Sequence, residues 1–249
     1  MSVLERCLEY TVLENGCVEK VAAVIVCGGS SSRMHGIDKM FAEVGGMPVA
    51  ARTVAKFQNC EKIDSIVIVT KEESVLKMQE LCEKYGFGKV TDITVGGRCR
   101  QESVKNGVEL LKDDIGIVLI HDGARPFVTD ECIVRVIDGA AEHGAVTCAV
   151  PLKDTVKSVK PDGLVIGTPD RSALCAVQTP QGFGLELYKK AIEANADRLE
   201  DFTDDCSVVE SLGYAVYTVE GDYSNIKVTT AEDLLYAEIL AKSEKEEQP

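Results

Sequence analysis

Short β-branched runs alternate with longer amphipathic segments along most of this chain, and that alternation restricts its folds more than any other feature. "VAAVIVC" (21–27) predicts a buried strand, and "PVAARTVAKFQ" (48–58) a helix with Pro48 in its first turn. "SIVIVT" (65–70) is a strand, followed by a charged helix through "EESVLKMQELCEKYG" that Gly86 closes. "KVTDITVGG" (89–97) is a weaker strand, "QESVKNGVELLK" (101–112) a helix with an internal glycine, and "GIVLIHD" (116–122) another buried strand. "TDECIVRVIDGAAEHG" starts at a Thr or Asp cap and ends at Gly144, and "AVTCAV" (145–150) is the next strand. Strands this apolar, separated by helices, predict an α/β, Rossmann-like architecture: a mostly parallel sheet with helices on both faces. Ligands of such sheets sit beyond the carboxyl ends of the strands. The loops after Cys27, Val95, Ile120 and Val150 should therefore converge on one side.

After Pro151 the order breaks. "PLKDTVKSVKPDGLVIGTPDR" alternates around Pro161-Asp162-Gly163, a turn sequence, and holds too few apolar residues for a core element. It predicts a protruding β-hairpin arm over about 151–172, lying on the sheet edge or reaching to a partner chain. A helix is expected around 184–199, a strand at 214–221, a helix at 229–242 with a Thr cap, and a disordered tail over 243–249.

Composition narrows the function. With 45% hydrophobic and 27% charged residues the chain suits a folded soluble protein, and it holds no run long enough for a membrane helix. The first twenty residues carry several acids and lack the basic start and apolar core of a signal peptide, so the expected location is cytoplasmic. The ten cysteines form no C-x-x-C pair, and His35, His121 and His143 show no metal-ligand spacing, which predicts reduced, mostly buried thiols. A net charge of −14 argues against nucleic acid or an anionic membrane as partner. A small anionic substrate remains open if the fold gathers the few cations at one site.

The first loop offers two of them. In "CGGSSSRMHGIDKMF" (27–41), Gly28, Gly29 and Ser30 follow the first strand, so backbone amides are free to face an anion. The spacing is neither a Walker A loop nor a dinucleotide fingerprint. On the loop alone, a plain strand-to-helix turn and a phosphate cradle are both open. Arg33 and Lys39 favour the cradle, since a guanidinium forks onto phosphate oxygens and an ammonium adds a compact charge.

That loop resembles the nucleotide-binding signature of sugar-phosphate nucleotidylyltransferases. With "GGRCRQESVKNGV" (96–108), "IHDGARPFV" (120–128), "QTPQGF" (178–183) and "SNIKVTTAEDL" (224–234), it is similar to the methylerythritol phosphate cytidylyltransferase branch. The five blocks occur in the family's order and run from about Val21 to about Ala241, leaving residues 1–20 as an N-terminal extension to one nucleotidyltransferase domain at 21–242. The resemblance implies transfer of CMP from CTP to a polyol phosphate, with release of pyrophosphate and Mg²⁺ on the triphosphate. It implies that Arg33 and Lys39 stabilise the pentavalent transition state, and that Arg171 and Lys227 hold the acceptor phosphate. Asp122 would lie near the sugar hydroxyls and the metal, and Arg125, Thr155 and Thr179 would contact the acceptor. Ser103 and the backbone at Gly97 would read cytosine. The arm would cross a homodimer, placing Thr155 and Arg171 in the partner's site.

Two departures stand out. Relatives commonly have Pro-Lys-Gln where this chain has Asp38-Lys39-Met40, and some have an acid where it has Arg98. Ribitol-5-phosphate cytidylyltransferases share nearly every block, though "HDGARP", without a bulkier residue before the arginine, favours methylerythritol phosphate. A non-catalytic nucleotide-binding domain on the same scaffold is a rival of another class, opposed by the presence of Arg33, Lys39, Arg171 and Lys227 together.

Overall fold

The structure is a computed structural model that describes residues 20–28 and 38–247, with side chains as far as Glu244. Its strands are β1 (Lys20–Val26), β2 (Glu43–Val44), β3 (Met47–Pro48), β4 (Ser65–Thr70), β5 (Val90–Val95), β6 (Ile115–Asp122), β7 (Ala145–Pro151), β8 (Ser158–Val159), β9 (Val165–Gly167), β10 (Cys175–Gly184) and β11 (Tyr217–Glu220). Between them lie helices α1 (Val49–Asn59), α2 (Val75–Tyr85), α3 (Arg100–Val108), α4 (Asp130–His143), α5 (Leu185–Ala194), α6 (Asp205–Glu210) and α7 (Ala231–Glu247). Seven strands form one sheet in the order β11-β7-β10-β6-β1-β4-β5. All neighbours are parallel except β10, which runs against both β6 and β7.

Both faces of the sheet are covered, as continuous apolar strands require. On β1, Val21, Ala23 and Ile25 face α1, α2 and α4, while Ala22, Val24 and Val26 face α3, α5 and α6. The helix boundaries follow local chemistry. The Thr129 hydroxyl accepts the Cys132 amide at 3.2 Å to start α4, and α2 and α4 close at Gly86 and Gly144, both left-handed. Pro48 precedes α1 at its cap position.

The internal glycine of α3 has a packing cause. A Cβ at Gly107 would lie 2.6 Å from a Val24 methyl and 2.8 Å from a Val69 methyl, so the helix sits on β1 and β4 at a distance only glycine permits. Gly107→Ala should lose about 1–3 kcal/mol to overpacking and regain ~1 kcal/mol in helix propensity, for a net destabilisation of about 1 kcal/mol. A urea midpoint at or above wild type would contradict this.

Three elements differ from the sequence reading. Strand β10 is not foreseen, because Pro180 and Gly182 weaken any strand pattern; the ladder with β7 is irregular between Val177 and Gln181, which accommodates the proline. The short β2–β3 hairpin is likewise unforeseen. The expected tail from 243 is instead helical through Glu247. Its residues are strong helix formers, and Glu244 is held by Arg52 at 2.9 Å and Lys56 at 2.8 Å. The arm is a small separate ladder of β8 and β9, closed by Lys160 N–H on Leu164 O at 2.9 Å.

Candidate active site

The carboxylate of Asp122, at the carboxyl end of β6, gathers the cations that the net charge made necessary. Lys227 Nζ lies 2.6 Å from Oδ2, Arg125 Nε lies 3.9 Å from the same oxygen, and Arg100 Nε donates to Oδ1 at 3.2 Å. Burial works to raise the Asp122 carboxyl, but Arg100, Lys227 and Arg125 outweigh it and hold it well below the usual carboxylate range. The group is therefore a fixed anion. Arg125 is tied in turn to the Asn225 carbonyl at 2.7 Å, and Val228 N–H bonds Ala124 O at 2.8 Å, which seats the Lys227 segment over the end of β6.

Thr179 belongs to the same cluster. Its Oγ1 accepts the Asp122 amide at 3.0 Å and lies 3.1 Å from His121 Nδ1, while His121 Nε2 lies 3.1 Å from the Arg125 carbonyl. A carbonyl only accepts, so the imidazole proton sits on Nε2, and Nδ1 accepts from the threonine hydroxyl. Burial pushes the His121 pKa down to about 3 from an ordinary 6.5. Because the folded value is depressed, the unfolded chain binds more protons between those limits; stability present above pH 6.5 is lost as the pH falls. The expected loss is about 2 kcal/mol between pH 6.5 and pH 5, read from urea midpoints. His121→Gln should flatten that slope, whatever its stability at neutral pH.

A second carboxylate stands behind Asp122. Arg100 Nη1 donates to Asp205 Oδ2 at 2.6 Å, and the Tyr188 hydroxyl donates to Asp205 Oδ1 at 2.7 Å. Asp205 opens α6 after the Asp204 cap, and Gln181 Oε1 on β10 accepts its amide at 3.0 Å. The acidic turn 203–205 thus serves as a helix cap at Asp204 and as an ion-pair partner at Asp205.

Gly97 and Ser103 are brought together: the Gly97 amide donates to Ser103 Oγ at 3.0 Å, and Ser103 Oγ donates to the Cys99 carbonyl at 2.9 Å. Arg98 pairs with Glu102 one helical turn on and faces solvent. Gly28 ends the described part of the first loop; Gly29, Ser30 and Arg33 lie outside the described residues. Lys39 is half-buried just after it. The Asp38 carboxylate accepts the Met40 amide at 3.1 Å, and Met40 is packed in the core, so Asp38 and Met40 build the turn that carries Lys39. Thr155 and Arg171 are exposed on the arm, with the Arg171 guanidinium on the Lys153 carbonyl. Among the described residues neither reaches the Asp122 cluster by a hydrogen bond or ion pair.

Sequence reasoning missed Arg100, His121 and Tyr188; it marked the acidic turn "TDD" (203–205) as a helix cap or a turn near the site, without singling out Asp205. The only local signals were a second arginine in "GGRCR" and a second acid in "TDD".

Comparison with known proteins accords with this geometry. Residues 21–243 match the IspD family, 2-C-methyl-D-erythritol 4-phosphate cytidylyltransferase. A cytidylyltransferase of that name from Dehalococcoides mccartyi is 47% identical over 224 residues, 90% of this chain and 97% of the relative. One from Halalkalibacterium halodurans is 46% identical over 226 residues, 90% and 98% of the two chains. The crystal structure of 4-diphosphocytidyl-2C-methyl-D-erythritol synthase from Anaerococcus prevotii superposes with a TM-score of 0.81 at 31% identity, covering 90% of this chain and 97% of that one. The Thermus thermophilus cytidylyltransferase superposes with a TM-score of 0.71 at 28% identity, covering 88% and 98%. With a family match across almost the whole sheet and relatives of near-equal length, this chain belongs to the 2-C-methyl-D-erythritol 4-phosphate cytidylyltransferase family.

Proposed function

We infer that the protein transfers CMP from CTP to 2-C-methyl-D-erythritol 4-phosphate, giving 4-diphosphocytidyl-2-C-methyl-D-erythritol and pyrophosphate, a step of isoprenoid precursor synthesis. The observation that carries this beyond family membership is the cluster of Lys227, Arg125 and Arg100 around Asp122, a cationic site in a chain of net charge −14. The acceptor is a phosphate monoester with a second pKa of about 6, so its attacking oxygen is largely ionised at neutral pH and needs no general base. Catalysis is then alignment of two anions and relief of their repulsion.

In this scheme Gly28, Gly29 and Ser30 wrap the triphosphate, Arg33 and Lys39 meet the charge growing at the α-phosphorus, and Ser103 with the Gly97 backbone takes the cytosine. Lys227 and Arg125 receive the acceptor phosphate, beside Thr179. Arg171 and Thr155 lie near the base of the arm, exposed, and they serve the site if the arm of a second subunit reaches it; Val159, Leu164, Val165 and Ile166 expose apolar surface farther out, consistent with a homodimer.

Magnesium fits this site as a passenger of the nucleotide. Among the described residues no cluster of three ligating side chains occurs, and Asp122 is a carboxylate already facing cations. Mg²⁺ characteristically combines one or two carboxylates with substrate phosphates, and Asp122 can supply that one. When bound, the ion neutralises triphosphate charge; the protein's part is to hold Asp122 ionised. Among the described residues no helix is long and apolar enough to cross a membrane, and a cytoplasmic enzyme is proposed.

The test is pyrophosphate release from CTP and Mg²⁺ with methylerythritol phosphate and ribitol phosphate offered in parallel. Release with the first alone is expected. Release with ribitol phosphate would move the acceptor assignment, and CTP binding without release from either would leave only a nucleotide-binding scaffold.

A further inference from the structure

We propose that Asp205 is a positioning residue for the transfer: it holds Arg100 so that the guanidinium takes only one oxygen of Asp122 and leaves the other to Lys227. This deepens the cytidylyltransferase reading and rests on it.

Asp205 is fixed from every side by core groups. Its side chain is fully buried; Oδ1 accepts the Tyr188 hydroxyl at 2.7 Å, and Oδ2 accepts Arg100 Nη1 at 2.6 Å. Tyr188 is itself buried and stacked on Phe183 with ring centroids 4.7 Å apart. Gln181 bonds the Asp205 amide at 3.0 Å and the Asp204 carboxylate at 2.8 Å, clamping the turn to β10. Arg100 therefore swings from an immovable anchor and offers Asp122 a single donor, Nε to Oδ1 at 3.2 Å. Oδ2 is left to Lys227 at 2.6 Å.

A guanidinium fork prefers two parallel bonds to one carboxylate. Without the Asp205 charge, nothing restrains Arg100 from taking both oxygens of Asp122. Lys227 then loses the partner that aims it. The charge balance shifts as well: Asp122 and Asp205 stand against Arg100, Arg125 and Lys227, leaving one excess positive charge, and removing the Asp205 charge doubles that excess. A phosphate acceptor would bind more tightly to such a site and react more slowly, because the attraction is spread over a misaligned lysine rather than the productive geometry.

The experiment uses Asp205→Asn, Tyr188→Phe and Lys227→Met, each alone, and Asp205→Asn combined with Lys227→Met. Steady-state pyrophosphate release is measured with the methylerythritol phosphate concentration varied. Asp205→Asn is expected to lower kcat about tenfold and lower the KM for the acceptor about threefold. In the Lys227→Met background the same change should have little further effect on kcat, since the residue it acts through is gone. A structural defect gives neither signature: it reduces active protein at constant KM and persists undiminished in the Lys227→Met background. That result, or kcat and KM both within twofold of wild type, overturns the proposal. If Asp205→Asn does not fold, Tyr188→Phe carries the test, with a smaller kcat loss and a lower KM expected, and unchanged constants overturning it. Failure of the wild-type enzyme to release pyrophosphate would instead sink the cytidylyltransferase reading.

Discussion

Arg100→Leu is expected to lower the unfolding free energy by about 3–5 kcal/mol, the range for removing one partner of a buried ion pair. Arg100 is the shared counter-charge of two carboxylates that are almost entirely out of solvent. Asp122 keeps Lys227 and, farther off, Arg125. The Asp205 carboxylate keeps the Tyr188 hydroxyl as its hydrogen-bond donor, so its charge is stranded. Burial already pushes the Asp205 carboxyl upward and Arg100 opposes that push; with leucine in place, protonation becomes the easier escape. Removing the Asp205 charge in the same chain, as Arg100→Leu with Asp205→Asn, should recover part of the loss, because the cost lies in the unpaired anion more than in the missing bond. Urea unfolding of the two single variants and the double variant at pH 7 measures both effects. An Arg100→Leu midpoint equal to wild type would mean that water or another side chain takes over the pairing.

Lys227→Ala is expected to act on chemistry with little effect on the fold. Its side chain is about 40% exposed, and Asp122 retains Arg100 when it is lost. On the proposed role it meets the acceptor phosphate, and loss of one such charged donor typically costs on the order of 10²–10³ in rate. Pyrophosphate release should fall by that factor, with the thermal midpoint shifted by only a few degrees. Lys227→Arg should not restore the rate, since a planar fork cannot place a point charge at the same position. A rate within threefold of wild type for the alanine variant would remove Lys227 from the reaction.

How legible the molecule was in its sequence varies by element for identifiable reasons. Strands β1, β4, β6 and β7 are unbroken β-branched runs because both their faces are buried, so almost every residue carries the signal. Strand β10 hides its identity behind Gln178 and Gln181, whose side chains bond the Asp222 and Asp205 segments, and behind Pro180, which interrupts its ladder. At the site, Asp122 and Lys227 were reachable through the family's motifs. The tie between Arg100 and Asp205 was not, because the two lie 105 residues apart and nothing in a local pattern says which cation will meet which anion. His121 is similar: as one of three scattered histidines it looks idle, and only the fold shows that it orders Thr179 and Arg125.

The antiparallel course of β10 has a consequence for how such a molecule can be altered. Pro151 at the end of β7 pairs with Cys175 at the start of β10, so the entire arm is the connection of one hairpin, with both ends pinned side by side. A segment anchored that way is a cassette. Its length and sequence can drift, or be exchanged for a tight turn, while the registers that hold Asp122 and Thr179 stay fixed by the strands below it. Changes confined to that one part can thus accumulate without disturbing the sheet that carries Asp122 and Thr179.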